Sequence, residues 1–219
     1  MERCIQVMTF LIIGGSDGMG KAFCELLNLK KINYYAPTKE ELDITDYEKI
    51  DKFDLSKYNN CVNFAGTTIG TWRGLEENSW QNHKKQIETN LLAPMLLAKQ
   101  WIKTNGNGKF VQIISTCILQ TPRSYNAFYN ISKTAMHLAI KNFQKNYPNI
   151  KWIEINPGKT KTGQILKGYE GTRTKIQVEN EFANEKCLTP EEVAEKIWYA
   201  IENNIPRLDI IPSTNELTI

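Results

Sequence analysis

The sequence predicts an α/β protein: a Rossmann-like, doubly wound parallel sheet of about seven strands with helices on both faces. Two observations predict it. Short apolar runs alternate with helix-length amphipathic stretches along the chain, and strands that alternate with helices form parallel sheets covered on both sides. A glycine-rich turn, Gly14-Gly15-Ser16-Asp17-Gly18-Met19-Gly20, follows the first apolar run and opens the first helical stretch. Right-handed crossovers then place ligands at the carboxyl ends of the strands.

The elements follow in order. Phe10-Leu11-Ile12-Ile13 is a buried-strand run, and Gly18 to Leu29 is helical. Asn33 to Ala36 is a second strand, stopped by Pro37, and Leu42-Asp43-Ile44 is a very short third. Thr45 to Phe53 is a weak helix, and Cys61 to Phe64 is a strand ending at Ala65-Gly66. One long helix is expected from Trp80 to Ile102, with Pro94 inside it as a kink. Phe110 to Ile114 is a strand. Asn126 to Tyr147 is helical, because Phe128, Ile131, Ala135 and Leu138 recur at helix spacing. Trp152 to Ile155 is a strand ending at Pro157-Gly158. Thr189-Pro190-Glu191-Glu192 starts a helix, with a cap, a proline in the first turn and acids at the positive end. Leu208 to Ile211 is the last strand.

A length of 219 residues suits one domain with its own core. We expect that domain over residues 8–219, residues 1–7 as an extension, and a substrate lid over about 159–186, a stretch without periodicity and too long for a plain connection. Lys+Arg number 27 and Asp+Glu 24, a net charge of +3, which excludes a nucleic-acid-coating protein as the default. The five cysteines, Cys4, Cys24, Cys61, Cys117 and Cys187, are scattered and odd in number. Reduced thiols in the cytoplasm are expected rather than a disulfide framework, and no metal site. No apolar run approaches the ~20 residues needed to span a membrane. The apolar Val7 to Ile13 is followed by the glycine loop rather than a cleavage site.

Four features carry chemistry. Glycines in the first turn let the backbone approach a pyrophosphate, and the helix start supplies free N–H groups. Tyr129 and Lys133 are spaced i, i+4 and share one helix face. A nearby ammonium favours the phenolate, so the pair suits proton transfer to or from a substrate oxygen. Tyr35–Lys39 and Tyr147–Lys151 have the same spacing, but Pro37 and Pro148 interrupt them. Ser115-Thr116 ends the strand before that helix, where a hydroxyl either binds a substrate carbonyl or merely finishes a strand. Asn90 is either a buried functional residue or an ordinary surface one.

The ordered set Gly14-x-x-x-Gly18-x-Gly20, Asn63-Phe64-Ala65-Gly66, Asn90, Ser115-Thr116, Tyr129-x-x-x-Lys133 and Asn156-Pro157-Gly158-x-x-x-Thr162 resembles the short-chain dehydrogenase/reductase family across about residues 8–211. The resemblance implies an NAD(P)(H)-dependent oxidoreductase, a carbonyl reductase or alcohol dehydrogenase acting on a small carbonyl or alcohol. Tyr129 would be the acid/base. Lys133 would hold the nicotinamide ribose and lower the tyrosine pKa, and Asn90 would complete a proton relay through water. Gly14 to Gly20 would cradle the cofactor phosphates. Asn63, Ala65 and Gly66 would border the cofactor, and Asp43, with Ile44 beside it, would contact the adenine. Pro157, Gly158, Thr160 and Thr162 would face the nicotinamide. A homodimer or homotetramer paired through the two long helices is likewise implied.

The sequence departs from that pattern in places. Ile13 stands where a threonine is usual. The catalytic hydroxyl, usually serine thirteen residues before the tyrosine, falls on Thr116, which is favoured over the adjacent Ser115. Pro37 to Glu41 is too short for the usual helix. No acid ends the second strand, whereas Thr38 and Lys39 suit a 2′-phosphate, so NADP(H) is favoured over NAD(H), with Glu40 keeping NAD open. The alternative function is a dinucleotide-sensing or partner-binding protein that has lost the chemistry. A longer-branch sugar-nucleotide epimerase is disfavoured because only about sixty residues follow Pro157-Gly158.

Overall fold

The computed structural model describes residues 9–70, 73–120, 126–163, 165, 176–177, 179–180 and 187–212. The expected extension over 1–7 and most of the expected lid lie outside them. Six parallel strands form one sheet: β1 Thr9–Ile13, β2 Asn33–Tyr35, β3 Asn60–Asn63, β4 Lys109–Ile113, β5 Lys151–Pro157 and β6 Arg207–Ile210. Their order is β2-β1-β3-β4-β5-β6. The chain leaves β1 to one side and returns past it to the other, so the sheet is doubly wound and its switch point lies between β1 and β3.

The helices are α1 Gly18–Leu29, α2 Tyr47–Lys52, α3 Trp80–Ile87, α4 Ala93–Thr104, α5 Ala127–Asn146 and α6 Pro190–Glu202. Successive strand residues point to opposite faces. Phe10, Ile12, Val62 and Val111 pack with Phe23 and Leu27 of α1 and Ile197 and Trp198 of α6. Leu11, Ile13, Cys61 and Phe110 pack with Leu97 and Trp101 of α4 and Met136 and Ile140 of α5. Both faces are buried, which is why the strands are continuous apolar runs instead of alternating ones. The start expected at Thr189 is a capping box: Thr189 Oγ1 accepts from Glu192 N at 3.2 Å, and Thr189 N donates to Glu192 Oε2 at 2.7 Å.

Two expectations are corrected. Leu42-Asp43-Ile44 is not a strand, so the described residues form six strands rather than about seven. A parallel strand needs a crossover of a dozen or more residues, and the few between β2 and Leu42 cannot return the chain to the sheet edge. Leu42 and Ile44 still face inward and join the α4/α5-side core. The helix expected from Trp80 to Ile102 is broken: a π-turn over Glu88–Leu92 separates α3 from α4. Pro94 is the cause. It has no N–H to return to the carbonyl four residues back, which belongs to Asn90, and its ring crowds that carbonyl. Ala93 N bonds instead to Glu88 O, one residue wider than an α-turn.

Candidate active site

At the switch point the glycine loop passes under the end of β3. Gly14 has φ +76°, and a Cβ there would lie 3.0 Å from Ala65 N. A Cβ on Gly20 would fall 2.1 Å from Gly14 O. The turn exists only because both side chains are missing. Asp17 caps α1, its Oδ1 accepting from Gly18 N at 2.7 Å. Above the loop a cavity of about 340 Å³ is lined by Ser16, Asp17, Met19, Thr67, Thr68 and Thr162, among others. It continues into a second of about 720 Å³ lined by Lys39, Asp43, Ile44, Thr45, Lys84 and Glu88.

Asn63 is buried and braces the far wall: its Nδ2 donates to Gln112 Oε1 at 3.0 Å, and its Oδ1 accepts from Ala65 N at 3.1 Å. Asn90, in the π-turn, is buried and not a surface residue. Its Oδ1 accepts from Thr67 N at 2.7 Å while its Nδ2 donates to Thr67 O at 2.9 Å and to Ser132 Oγ at 3.3 Å. One amide thus ties the loop after β3 to α5, at the residue just before Lys133. The π-turn that Pro94 imposes is what carries Asn90 there.

Lys133 is buried, with Nζ 3.3 Å from Ile113 O and 5.8 Å from the centre of the Tyr129 ring. It reaches the cleft under Gly66, where an added Cβ would lie 3.5 Å from Nζ. Tyr129 is half-buried. Burial pushes its phenol well above the ordinary tyrosine range, the neighbouring Cys117 thiol adds to that, and a hydrogen bond with Ser115 pulls it back. Burial pushes Lys133 down to about 8, opposed by Cys117. The expected lowering of the tyrosine by the lysine is therefore absent in the protein alone. Desolvation is the leading influence on both groups and favours the neutral form of each.

Of the two expected hydroxyls, Ser115 is the one that draws the phenol down. Ser115 has φ 178° and continues the extended strand, whereas Thr116 is the first residue of a tight turn, Thr116–Leu119, capped by Ser115 Oγ, which accepts from Cys117 N at 3.2 Å. Spacing alone cannot say where a strand stops and a turn begins.

Other expected residues divide. Thr162 lines the cleft and faces Gly18. Pro157 and Gly158 instead close β5 onto β6 through Gly158 N to Ile210 O at 2.8 Å, and Thr160 is buried with Oγ1 donating to Gly158 O at 2.9 Å. Gly15 packs behind the loop, a Cβ there meeting Ala36 and Cys24 at 2.9 Å. Thr38 is spent on a local turn, Oγ1 accepting from Glu41 N at 3.3 Å and its own N donating to Glu41 Oε2 at 2.7 Å. Lys39 pairs with Asp43 at 3.4 Å, and Asp43 also accepts from Thr45 N at 2.9 Å and Thr45 Oγ1 at 2.7 Å. These bonds hold the Asp43 carboxyl below its usual range although burial pushes it up. Thr67, Lys84, Lys85 and Cys117 were not singled out from the sequence. Only their position on the folded cleft marks them.

A dinucleotide fits these residues. Two cavities meet over a glycine turn that has no room for a Cβ at Gly14 or Gly20, and the buried Lys133 ammonium lies just under Gly66.

The family profile described as the NAD dependent epimerase/dehydratase family matches residues 10–160. The chain is 22% identical over 226 residues to an NADP-dependent 3-hydroxy acid dehydrogenase of Schizosaccharomyces pombe, covering 88% of this chain and 86% of that protein. Its fold is similar to a small-chain dehydrogenase solved with NADPH, at a TM-score of 0.79, 16% identity and coverage of 93% and 95% of the two chains. It is also similar to a variant of actinorhodin polyketide ketoreductase solved with NADPH, at a TM-score of 0.79, 18% identity and coverage of 94% and 96%.

Proposed function

Since the chain belongs to the short-chain dehydrogenase/reductase family, matched through its NAD dependent epimerase/dehydratase profile, we propose that it is an NADP(H)-dependent oxidoreductase that interconverts a small carbonyl and its alcohol. The observation that carries this is the pairing of Tyr129 with the buried Lys133 at the cleft, Nζ lying 5.8 Å from the centre of the phenol ring and just under Gly66. The loop Gly14–Gly20, Ala65, Gly66 and Thr67 would hold the cofactor, with Asp43 and Ile44 at the adenine and Thr162 at the nicotinamide. When bound, the nicotinamide supplies or takes the hydride.

The protein supplies the proton chemistry. The phenol of Tyr129 is held protonated at neutral pH, so it is poised to donate to a carbonyl oxygen, the direction of reduction. Ser115 holds that phenol and is the second donor to the same oxygen. Lys133 still carries charge below pH 8 and stabilises the tyrosinate left behind. Asn90 fixes Thr67 and Ser132, and so sets the distance between the cleft wall and α5. NADP(H) is favoured by the names of the similar proteins and by Lys39 on the adenosine side. An assembly of two or four copies is supported by the exposed Leu92, Met95, Ile131 and Leu138 on the helical face.

The test follows NADPH absorbance with ketones and acyl thioesters, for the wild type and Tyr129→Phe. Turnover that the substitution abolishes supports the proposal. Tight NADPH binding without turnover would favour the sensing alternative. Conversion of a sugar nucleotide with no net change in NADPH would favour an epimerase, the reading that the family profile's description supports.

A further inference from the structure

The two cavities of the cleft meet over the glycine loop, and six residues line both: Gly14, Ser16, Ala65, Gly66, Thr67 and Lys85. Lys85 is the one charged side chain among the six. It is exposed, comes from α3 on the wall opposite the loop, and makes no ion pair with any described residue. The start of α1, the usual source of positive potential at this place, is already occupied by the Asp17 carboxylate on Gly18 N. An anion arriving there meets a carboxylate as well as free N–H groups. Of the other cations, Lys39 is paired with Asp43, and both it and Lys84 line only the second cavity.

We propose that Lys85 is a phosphate-binding residue that grips the cofactor's pyrophosphate from the α3 side, offsetting the charge of Asp17 across the junction of the two cavities. This rests on the dinucleotide reading above. A pyrophosphate is common to NADPH and NADH, so Lys85 would serve both alike, unlike a 2′-phosphate ligand. Its ammonium acts as an exposed point charge, and its contribution falls as salt rises.

The test is calorimetric titration of the full chain with NADPH, NADH and ADP-ribose. Lys85→Ala is expected to weaken all three by the same factor, about tenfold at low salt, and by less at high salt. Lys85→Arg should recover most of that loss. Loss confined to NADPH would reassign Lys85 to the 2′-phosphate and overturn the proposal, as would unchanged binding of all three. A wild-type chain that binds neither dinucleotide overturns the oxidoreductase reading itself, a result distinct from wild-type binding that Lys85→Ala leaves untouched.

Discussion

The glycine loop after β1 and the Ser115–Tyr129–Lys133 cluster after β4 serve one cleft but are held by different forces. The loop is made of backbone. Its shape follows from missing side chains at Gly14 and Gly20 and from the Asp17 cap. The cluster is made of side chains from a strand end and a helix, and its two titratable members are driven by burial toward their neutral forms. The first region therefore supports the fold that contains it. The second is held against a desolvation cost, and the rest of the core must outweigh that cost. Function sits where the protein is least comfortable without its ligand.

Three substitutions probe that contrast, and the largest effect is expected from chemistry. Tyr129→Phe should lower kcat by about 10²–10⁴-fold while leaving the melting temperature nearly unchanged, because only one hydroxyl is lost. A variant that kept kcat would move the acid/base elsewhere. Next is Gly20→Ala. The new Cβ would meet the Gly14 carbonyl, and since Cβ is fixed by the backbone no side-chain rotation relieves the contact. A loss of about 2–4 kcal/mol in urea unfolding is expected, with cofactor binding lost alongside. Lys133→Met should do the opposite to stability. It removes a buried charge that burial has pushed down to about 8 from the ordinary lysine range, so the fold should gain about 1–3 kcal/mol at pH 7 while activity disappears.

The pH dependence gives that last contrast its sign. Below pH 8 Lys133 is charged in both the folded and unfolded chains, and the full cost of burying it is present. Between about 8 and the ordinary lysine range the unfolded chain binds a proton that the folded one does not. Stability from this group then rises with pH. The advantage of Lys133→Met over wild type should shrink as urea midpoints are followed from pH 7 to 10. A constant advantage would mean that packing, not charge, separates them.

The same contrast explains what the sequence made legible. The strands, the glycine loop, the capping box at Thr189 and the Tyr129–Lys133 face are local patterns, fixed by periodicity or by spacing within a turn or two. Leu42-Asp43-Ile44 had the composition of a strand, but strand formation also needs a neighbour, and the short crossover denied it one. Counting favours Thr116, but the structure makes Thr116 the first residue of a tight turn and Ser115 its cap, a boundary that spacing does not reveal. By itself Asn90 reads more readily as a surface residue, but the π-turn ahead of Pro94 buries it. Lys85 carries no local mark at all. It gains meaning only when α3 is folded against the glycine loop.

The smallest effect tests the adenosine end, where the protein is most exposed. Lys39 was read as a ligand for a 2′-phosphate, but its ammonium lies 3.4 Å from Asp43, its side chain is 74% exposed, and Asp43 has Thr45 as a second partner. A phosphate must therefore share or displace an existing ion pair, and exposed pairs are worth about 0–1 kcal/mol. Lys39→Ala should lower the NADPH-to-NADH affinity ratio by only about three- to fivefold at low salt. It should also let the Asp43 carboxyl titrate higher, since one of its partners is gone. A ratio that does not move would mean that cofactor choice is set by the turn Thr38–Glu41, whose backbone and carboxylate close the end of β2 without any free cation.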